Sequence, residues 1–127
     1  MLIDDDEDTV TTFKTGLEEN GFSVDGFVNP FEALARFKES NEKTYHLLLI
    51  DLKYNKENYG INGFQLYEQM RDSGKKLPHT CFTTAFPDYY YQLKPLYPKI
   101  NVQCFVRKPI YIVDLVAQLK QELQAPL

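Results

Sequence analysis

The stretch His46-Leu47-Leu48-Leu49-Ile50-Asp51-Leu52 decides the fold. Four consecutive large aliphatic residues, with no polar alternation, suit a strand covered on both faces, as in a parallel sheet. The run ends on a carboxylate, and a polar loop follows as far as Asn62-Gly63. Strand-like and helix-like segments alternate on either side of it. Leu2-Ile3 forms a short first strand. Val10, Phe13 and Leu17 then recur at helical spacing until Asn20-Gly21 stops them. Residues 22–28 alternate as a second strand. Asn29-Pro30-Phe31-Glu32 opens the second helix, with Asn29 as cap, Pro30 in the first turn and Glu32 at capping-box distance. Phe64, Leu66, Tyr67 and Met70 mark a third helix, 80–84 a fourth strand and 102–106 a fifth. Ile112, Leu115, Val116, Leu119 and Leu123 give an amphipathic last helix. Between the last two strands lie Tyr89-Tyr90-Tyr91 and prolines 87, 95 and 98, so the fourth helix is expected to be short or broken. Repeated strand-then-helix units predict a parallel α/β sheet with helices on both faces.

Composition narrows the class. The chain has 127 residues, enough for one domain with a real core, and none of the sequence reads as a linker, repeat or second domain. Hydrophobic residues make up 43% and charged residues 25%, which argues against disorder. The net charge of −4 leaves no basic footprint for direct nucleic-acid binding. No apolar run approaches a membrane span and no leader is visible, so the expected setting is cytoplasmic, without membrane insertion. Cys81 and Cys104 sit in apolar, strand-prone stretches and are read as two buried reduced thiols. His46 and His79 begin strands without neighbouring ligands and are read as structural or exposed.

Ligands of open parallel sheets bind beyond the carboxyl ends of the strands. Those ends carry Asp4-Asp5, Asp51, Thr84-Ala85 and Lys108-Pro109. Three carboxylates, a hydroxyl and an ammonium therefore converge on one crevice. Carboxylates that close repel one another unless a cation joins them. Oxygen-only ligands favour Mg²⁺, with Mn²⁺ second. A calcium loop through Asp4, Asp6 and Asp8 fails, because Thr9 and Thr15 stand where the turn glycine and bidentate glutamate belong. A carboxylate beside a metal and a lysine is equipped to attack phosphorus and form an aspartyl phosphate.

Five marks, in order, carry a resemblance: Leu2-Ile3-Asp4-Asp5-Asp6, Leu49-Ile50-Asp51, Asn62-Gly63-Phe64, Thr83-Thr84-Ala85 and Lys108-Pro109. The chain resembles the receiver domains of two-component response regulators from Leu2 to about Leu123. The resemblance implies a flavodoxin-like five-stranded sheet in the order 2-1-3-4-5, a single receiver domain over 1–127 with no output domain, and Asp51 as phosphoacceptor. It also implies Mg²⁺ bound by Asp4, Asp5, Asp51 and the backbone carbonyl of Lys53, with Asp5 a more direct ligand than Asp4. Thr84 and Lys108 would hold phosphoryl oxygens, Thr84 and Phe105 would form the switch, and the Lys108–Pro109 peptide would be cis. The implied partners are a histidine kinase or histidine phosphotransfer protein as donor and a downstream protein as reader. The reading face would be the fourth helix, fifth strand and fifth helix, which could also form a homodimer with Arg107 and Asp114 paired across it.

The sequence departs from the family in three places. The loop over 54–62 is longer than usual and lacks the customary proline. Phe86 and Lys53 flank the phosphate path, where Phe86 would shield the phosphoryl group from water. The tyrosine-rich fourth helix is either a contact surface or core packing. Two other functions compete with phosphoryl switching. A pseudo-receiver interaction module that never carries phosphate is the alternative. A Mg²⁺ phosphohydrolase would need a second aspartate at position 53, where this chain has lysine, so enzymatic turnover of external substrates is not expected.

Overall fold

The structure is a computed structural model and describes residues 1–54 and 59–126. The part of the long loop between those segments, and so part of that departure, lies outside the described residues. The elements alternate as follows: β1 Leu2–Ile3, α1 Glu7–Glu18, β2 Gly26–Phe27, α2 Pro30–Glu39, β3 Leu47–Asp51, α3 Gly63–Asp72, β4 His79–Thr84, α4 Pro87–Leu93, β5 Cys104–Arg107 and α5 Ile112–Gln124. All strand pairs are parallel, in the order β2-β1-β3-β4-β5. The fold is therefore the flavodoxin-like arrangement that the resemblance implied.

Two apolar layers cover the sheet. Ile3, Leu48, Ile50 and Phe82 point one way, into a core shared with α2, α3 and α4 through Leu34, Phe37, Leu66, Met70 and Tyr90. Leu2, Leu49, Cys81, Cys104 and Val106 point the other way, against Phe13 and Leu17 of α1 and Leu115 and Leu119 of α5. The uninterrupted run in β3 is thus explained: alternate residues fill opposite layers, and both layers are dry.

Three expectations need correction. The second strand is two residues long, not seven, because a strand needs a paired neighbour. β1 offers only Leu2 and Ile3, paired with Gly26 and Phe27. The fifth strand runs over Cys104–Arg107 rather than 102–106, since β4 pairs with those residues through Thr84↔Arg107. The cysteines are buried as expected, but they form a disulfide. The register places Cys81 directly beside Cys104, with Cα atoms 4.5 Å apart, a relation the sequence pattern does not reveal.

Helix starts follow their caps. Asp6 accepts from the backbone of Asp8 and Thr9 to start α1, and Asn29 does the same with Phe31 and Glu32 for α2. The reciprocal capping box forms at Asn62 and Gln65, where α3 begins. The fourth helix is short, as its prolines require, and passes into a 3₁₀ turn at Lys94–Leu96. Its tyrosines divide between the two readings: Tyr90 is buried, whereas Tyr91 is exposed.

Gly63 locks α3 against the end of β3. Its N–H donates to the Leu52 carbonyl at 2.8 Å. A β-carbon at that position would stand 2.4 Å from the Asp51 carbonyl oxygen and 2.9 Å from Leu52 Cα. Those neighbours are backbone and cannot rotate away. Gly63→Ala is expected to destabilise the fold by about 1–3 kcal/mol through overpacking. Urea denaturation checks this, and a stability equal to the parent's would refute it.

Candidate phosphoryl-acceptor and metal site

The parallel register carries Asp4, Asp51 and Thr84 to one edge of the sheet. Leu2 and Ile3 pair with Leu49 and Ile50, so the next residues along the chain, Asp4 after β1 and Asp51 at the end of β3, emerge as neighbours. The Asp4 N–H donates to the Phe27 carbonyl, fixing the turn out of β1. Asp51 lies opposite Thr83 of β4, one residue before Thr84. The Lys108 N–H donates to the Thr84 carbonyl at 2.9 Å, which ties the end of β5 to β4. The Lys108–Pro109 peptide is cis, as the resemblance implied.

The side chains then converge. Carboxylate oxygens of Asp4, Asp5 and Asp51 all lie within 4.8 Å of one another, and all three residues are buried. The Lys108 ammonium sits 2.6 Å from Asp4 Oδ2 and 3.2 Å from Asp51 Oδ1. Asp4 also accepts from the backbone of Asp6 at 2.9 Å. Lys108 thus bridges Asp4 and Asp51, and three carboxylates this close together favour the binding of a cation.

Burial dominates the protonation behaviour of the cluster. Burial pushes the Asp51 carboxyl up to about 7; Asp4 and Asp5 add to the rise, and Lys108 opposes it. Asp4 is also raised, by burial, against the pull of Lys108. Burial pulls the Lys108 ammonium down, but Asp51 and Asp4 outweigh it and hold it above its usual value. The donor set fits a hard divalent ion: three carboxylates, with neither imidazole nor thiolate among them.

The remaining predicted residues occupy the rim. Thr84 is fully buried, and its hydroxyl accepts from the Phe86 N–H at 3.0 Å. Phe105 is half-buried and stacks on Tyr90, with ring centroids 4.1 Å apart and planes 15° from parallel. Lys53 follows β3, and its ammonium lies over the Phe86 ring at 4.5 Å and the Tyr89 ring at 5.5 Å. The two residues read as separate gates therefore touch each other, although Phe86 itself remains 46% exposed. Arg107 and Asp114 are exposed, His46 is exposed, and His79 lies beside Glu122 at the far end of β4.

Sequence reading missed Tyr54. Its hydroxyl is buried and has no hydrogen-bond partner among the described residues. Burial raises the phenol well above its ordinary pKa, and Asp51, Asp4 and Asp5 add to the shift, so it stays protonated beside the acidic cluster. The available signal was an aromatic residue three positions after Asp51, which by itself does not distinguish a buried ring from a loop tyrosine. A cleft of about 700 Å³ opens at the other end of the sheet, between Leu17, Val24, Leu47 and Leu119. It contains none of the strand-end residues, so the chemistry belongs to the acidic crevice.

Comparison with known proteins agrees with this geometry. The family model described as the response regulator receiver domain matches residues 1–120. This chain belongs to the receiver-domain family of response regulators. Among solved structures, it is similar to the receiver domain of the hybrid histidine kinase CckA, at 26% identity and a TM-score of 0.73, covering 97% of this chain and 96% of that one. It is similar to the response regulator TrrA from Thermotoga maritima, solved in complex with Mg²⁺ and BeF, at 25% identity and a TM-score of 0.74, with 95% of each chain covered. A CheY-like receiver from Methanospirillum hungatei shares the fold at 22% identity and a TM-score of 0.75, covering 96% of this chain and 90% of that one. None of the curated proteins compared with the sequence matches it. Among the described residues, no helix is long and apolar enough to cross a membrane.

The protonation shift has a measurable consequence. An acid whose folded pKa lies above its unfolded value binds more protons in the native state, so stability falls as pH rises. For Asp51 the window runs from about 4, the unfolded value, to about 7. In metal-free buffer, Asp51→Asn is expected to raise the melting temperature at pH 8 and to lose that advantage toward pH 4. Thermal melts across this range check it; a pH-independent difference would contradict the assignment.

Proposed function

We propose that this receiver is a phosphorylation switch in which Asp51 takes a phosphoryl group from a phosphohistidine donor and a protein partner reads the change. The observation that carries the reading is the Lys108 ammonium held within 3.2 Å of Asp51 and 2.6 Å of Asp4, in a cluster with Asp5. Asp4, Asp5, Asp51 and the carbonyl of Lys53 would hold Mg²⁺ (or Mn²⁺), which supplies charge neutralisation at the phosphoryl oxygens.

The chain's own residues do the rest. An Asp51 carboxylate oxygen forms the new bond to phosphorus while the bond from phosphorus to the donor's imidazole nitrogen breaks, and the donor leaves with that electron pair. Lys108 follows the negative charge from the carboxylates to a phosphoryl oxygen. Thr84 turns its hydroxyl from the Phe86 N–H to another phosphoryl oxygen. This frees space near the sheet edge and lets the Phe105 ring change its packing against Tyr90. Exposed Tyr91 and Leu96, in and beyond α4, and Tyr111 and Val113, at the start of α5, supply apolar contacts on the reading face. Lys53 over Phe86 forms a lid that limits the approach of water to the phosphoryl group. The reaction is self-modification of one carboxylate, without turnover of external substrates. The donor is a histidine kinase or phosphotransfer protein, and the same face serves either the downstream partner or a second copy of the chain.

Incubation with acetyl phosphate and Mg²⁺, followed by intact-mass measurement, tests this. One phosphoryl group should add to the parent and none to Asp51→Asn. An unmodified parent, under conditions that modify a control receiver, would instead identify a pseudo-receiver. Phe86→Ala should shorten the lifetime of the aspartyl phosphate severalfold, followed by loss of the added mass with time. A lifetime equal to or longer than the parent's would remove Phe86 from the lid.

A further inference from the structure

On the sheet face away from Phe105, β4, β5 and α5 bring together a second set of metal-type ligands. Cys81 and Cys104 are register partners, both buried and disulfide-bonded. A carboxylate oxygen of Glu122, on α5, lies with the two sulfurs in one group whose ligand atoms are all within 4.8 Å of one another. His79 stands two residues before Cys81 and therefore projects from the same face of β4. Its Nδ1 is 3.7 Å from Glu122 Oε1. Two sulfurs and a carboxylate thus meet on three elements, against a wall of Val106, Leu115 and Leu119, and the imidazole of His79 stands beside that carboxylate.

A disulfide staple needs neither the carboxylate nor the imidazole. The Glu122 carboxylate stands at the partly exposed edge of the apolar layer, between the cysteine sulfurs and His79, where a cation would find donors on both sides. Thiolate, imidazole and carboxylate are together the donors of tetrahedral zinc, and thiolates select against Mg²⁺. The side chains of His79 and Glu122 keep 12% and 26% exposure, so an ion can enter from their side of the cluster.

We infer that Cys81, Cys104, His79 and Glu122 form a zinc site when the disulfide is reduced, so that this cysteine pair alternates between a disulfide and a zinc–thiolate centre. A dithiol or phosphine reductant supplies two electrons to the Cys81–Cys104 bond and is itself oxidised, leaving two thiols. Zn²⁺ then displaces their two protons to solvent and takes both thiolates. The sulfurs separate by rotation about their Cα–Cβ bonds while the β4–β5 ladder keeps the backbones in place. A disulfide oxidant reverses the exchange: it accepts two electrons from the thiolates, the S–S bond reforms and Zn²⁺ leaves. This inference does not depend on phosphorylation of Asp51.

The test uses the whole chain, reduced with a phosphine under anaerobic conditions and titrated with Co²⁺, then with Zn²⁺. A thiolate-to-cobalt absorption band should saturate at one metal per chain and disappear as zinc replaces cobalt. The band should be lost in Cys81→Ser and in the oxidised chain, and unchanged in Asp51→Asn, which separates it from the acidic site. Glu122→Gln and His79→Ala should each weaken zinc by about tenfold or more. Circular dichroism of the same samples reports folding. Absence of the band in a folded reduced chain would overturn the inference, as would a band indifferent to Glu122→Gln or to His79→Ala. Unfolding on reduction before metal is added would do the same, by making the disulfide purely structural.

Discussion

Three buried carboxylates cluster at the sheet edge with one ammonium between two of them, and the rest of the molecule is organised to keep them there. At separations near 4 Å, like charges repel by about 4 kcal/mol even at a generous effective dielectric of about 20. Asp4 and Asp51 are both almost inaccessible to water, so solvent does little to relieve this. Lys108 bridges them, and its position depends on the backbone bond from its own N–H to Thr84. Gly63 in turn lets α3 pack against the carbonyl of Asp51 without a β-carbon between them. Burial first, and the neighbouring Asp4 second, raise the Asp51 carboxyl, so bringing these groups together has an electrostatic cost.

Packed aromatic rings lead from the same sheet to the surface. β5 alternates: Cys104 and Val106 face α1 and α5, while Phe105 faces Tyr90 on α4. Tyr90 also meets Phe64 and Tyr91, and Phe64 meets Phe82 and Tyr97. An aromatic network therefore runs from the centre of the sheet to exposed Tyr91. Packed rings of this kind repack between discrete arrangements more readily than they deform. The α5 face is tied to the same strand, because Gln118 Nε2 donates to the Phe105 carbonyl at 3.0 Å.

Residues from two of the three departures from the family pattern, Lys53 with Phe86 and Tyr54 of the long loop, lie near the acidic cluster. Lys53 and Phe86, one after β3 and one after β4, meet as a cation over an aromatic face. Tyr54 places a protonated phenol in the electrostatic range of the acidic cluster, and its ring edge meets Tyr59, which in turn meets Phe31 of α2. The Tyr59 hydroxyl donates to the Val28 carbonyl at 3.3 Å. Both described ends of the long loop are thus anchored by aromatic residues, one of them beside the carboxylates.

Much of this was legible in the residues alone. The aliphatic run ending at Asp51, the cap at Asn29, and the proline-broken fourth helix follow from local chemistry, so the fold class and the strand-end residues could be named. Local pattern carries no information about which strands lie side by side or in what register, because pairing is set by the packing of the whole sheet. The two-residue extent of β2, the Cys81–Cys104 bond beside Glu122, the cation over Phe86 and the buried hydroxyl of Tyr54 are all consequences of that packing. The sequence by itself determined which groups stand at the strand ends; only the tertiary structure decided how close they come, because the repulsion among Asp4, Asp5 and Asp51 exists only once the chain has brought them within a few ångströms.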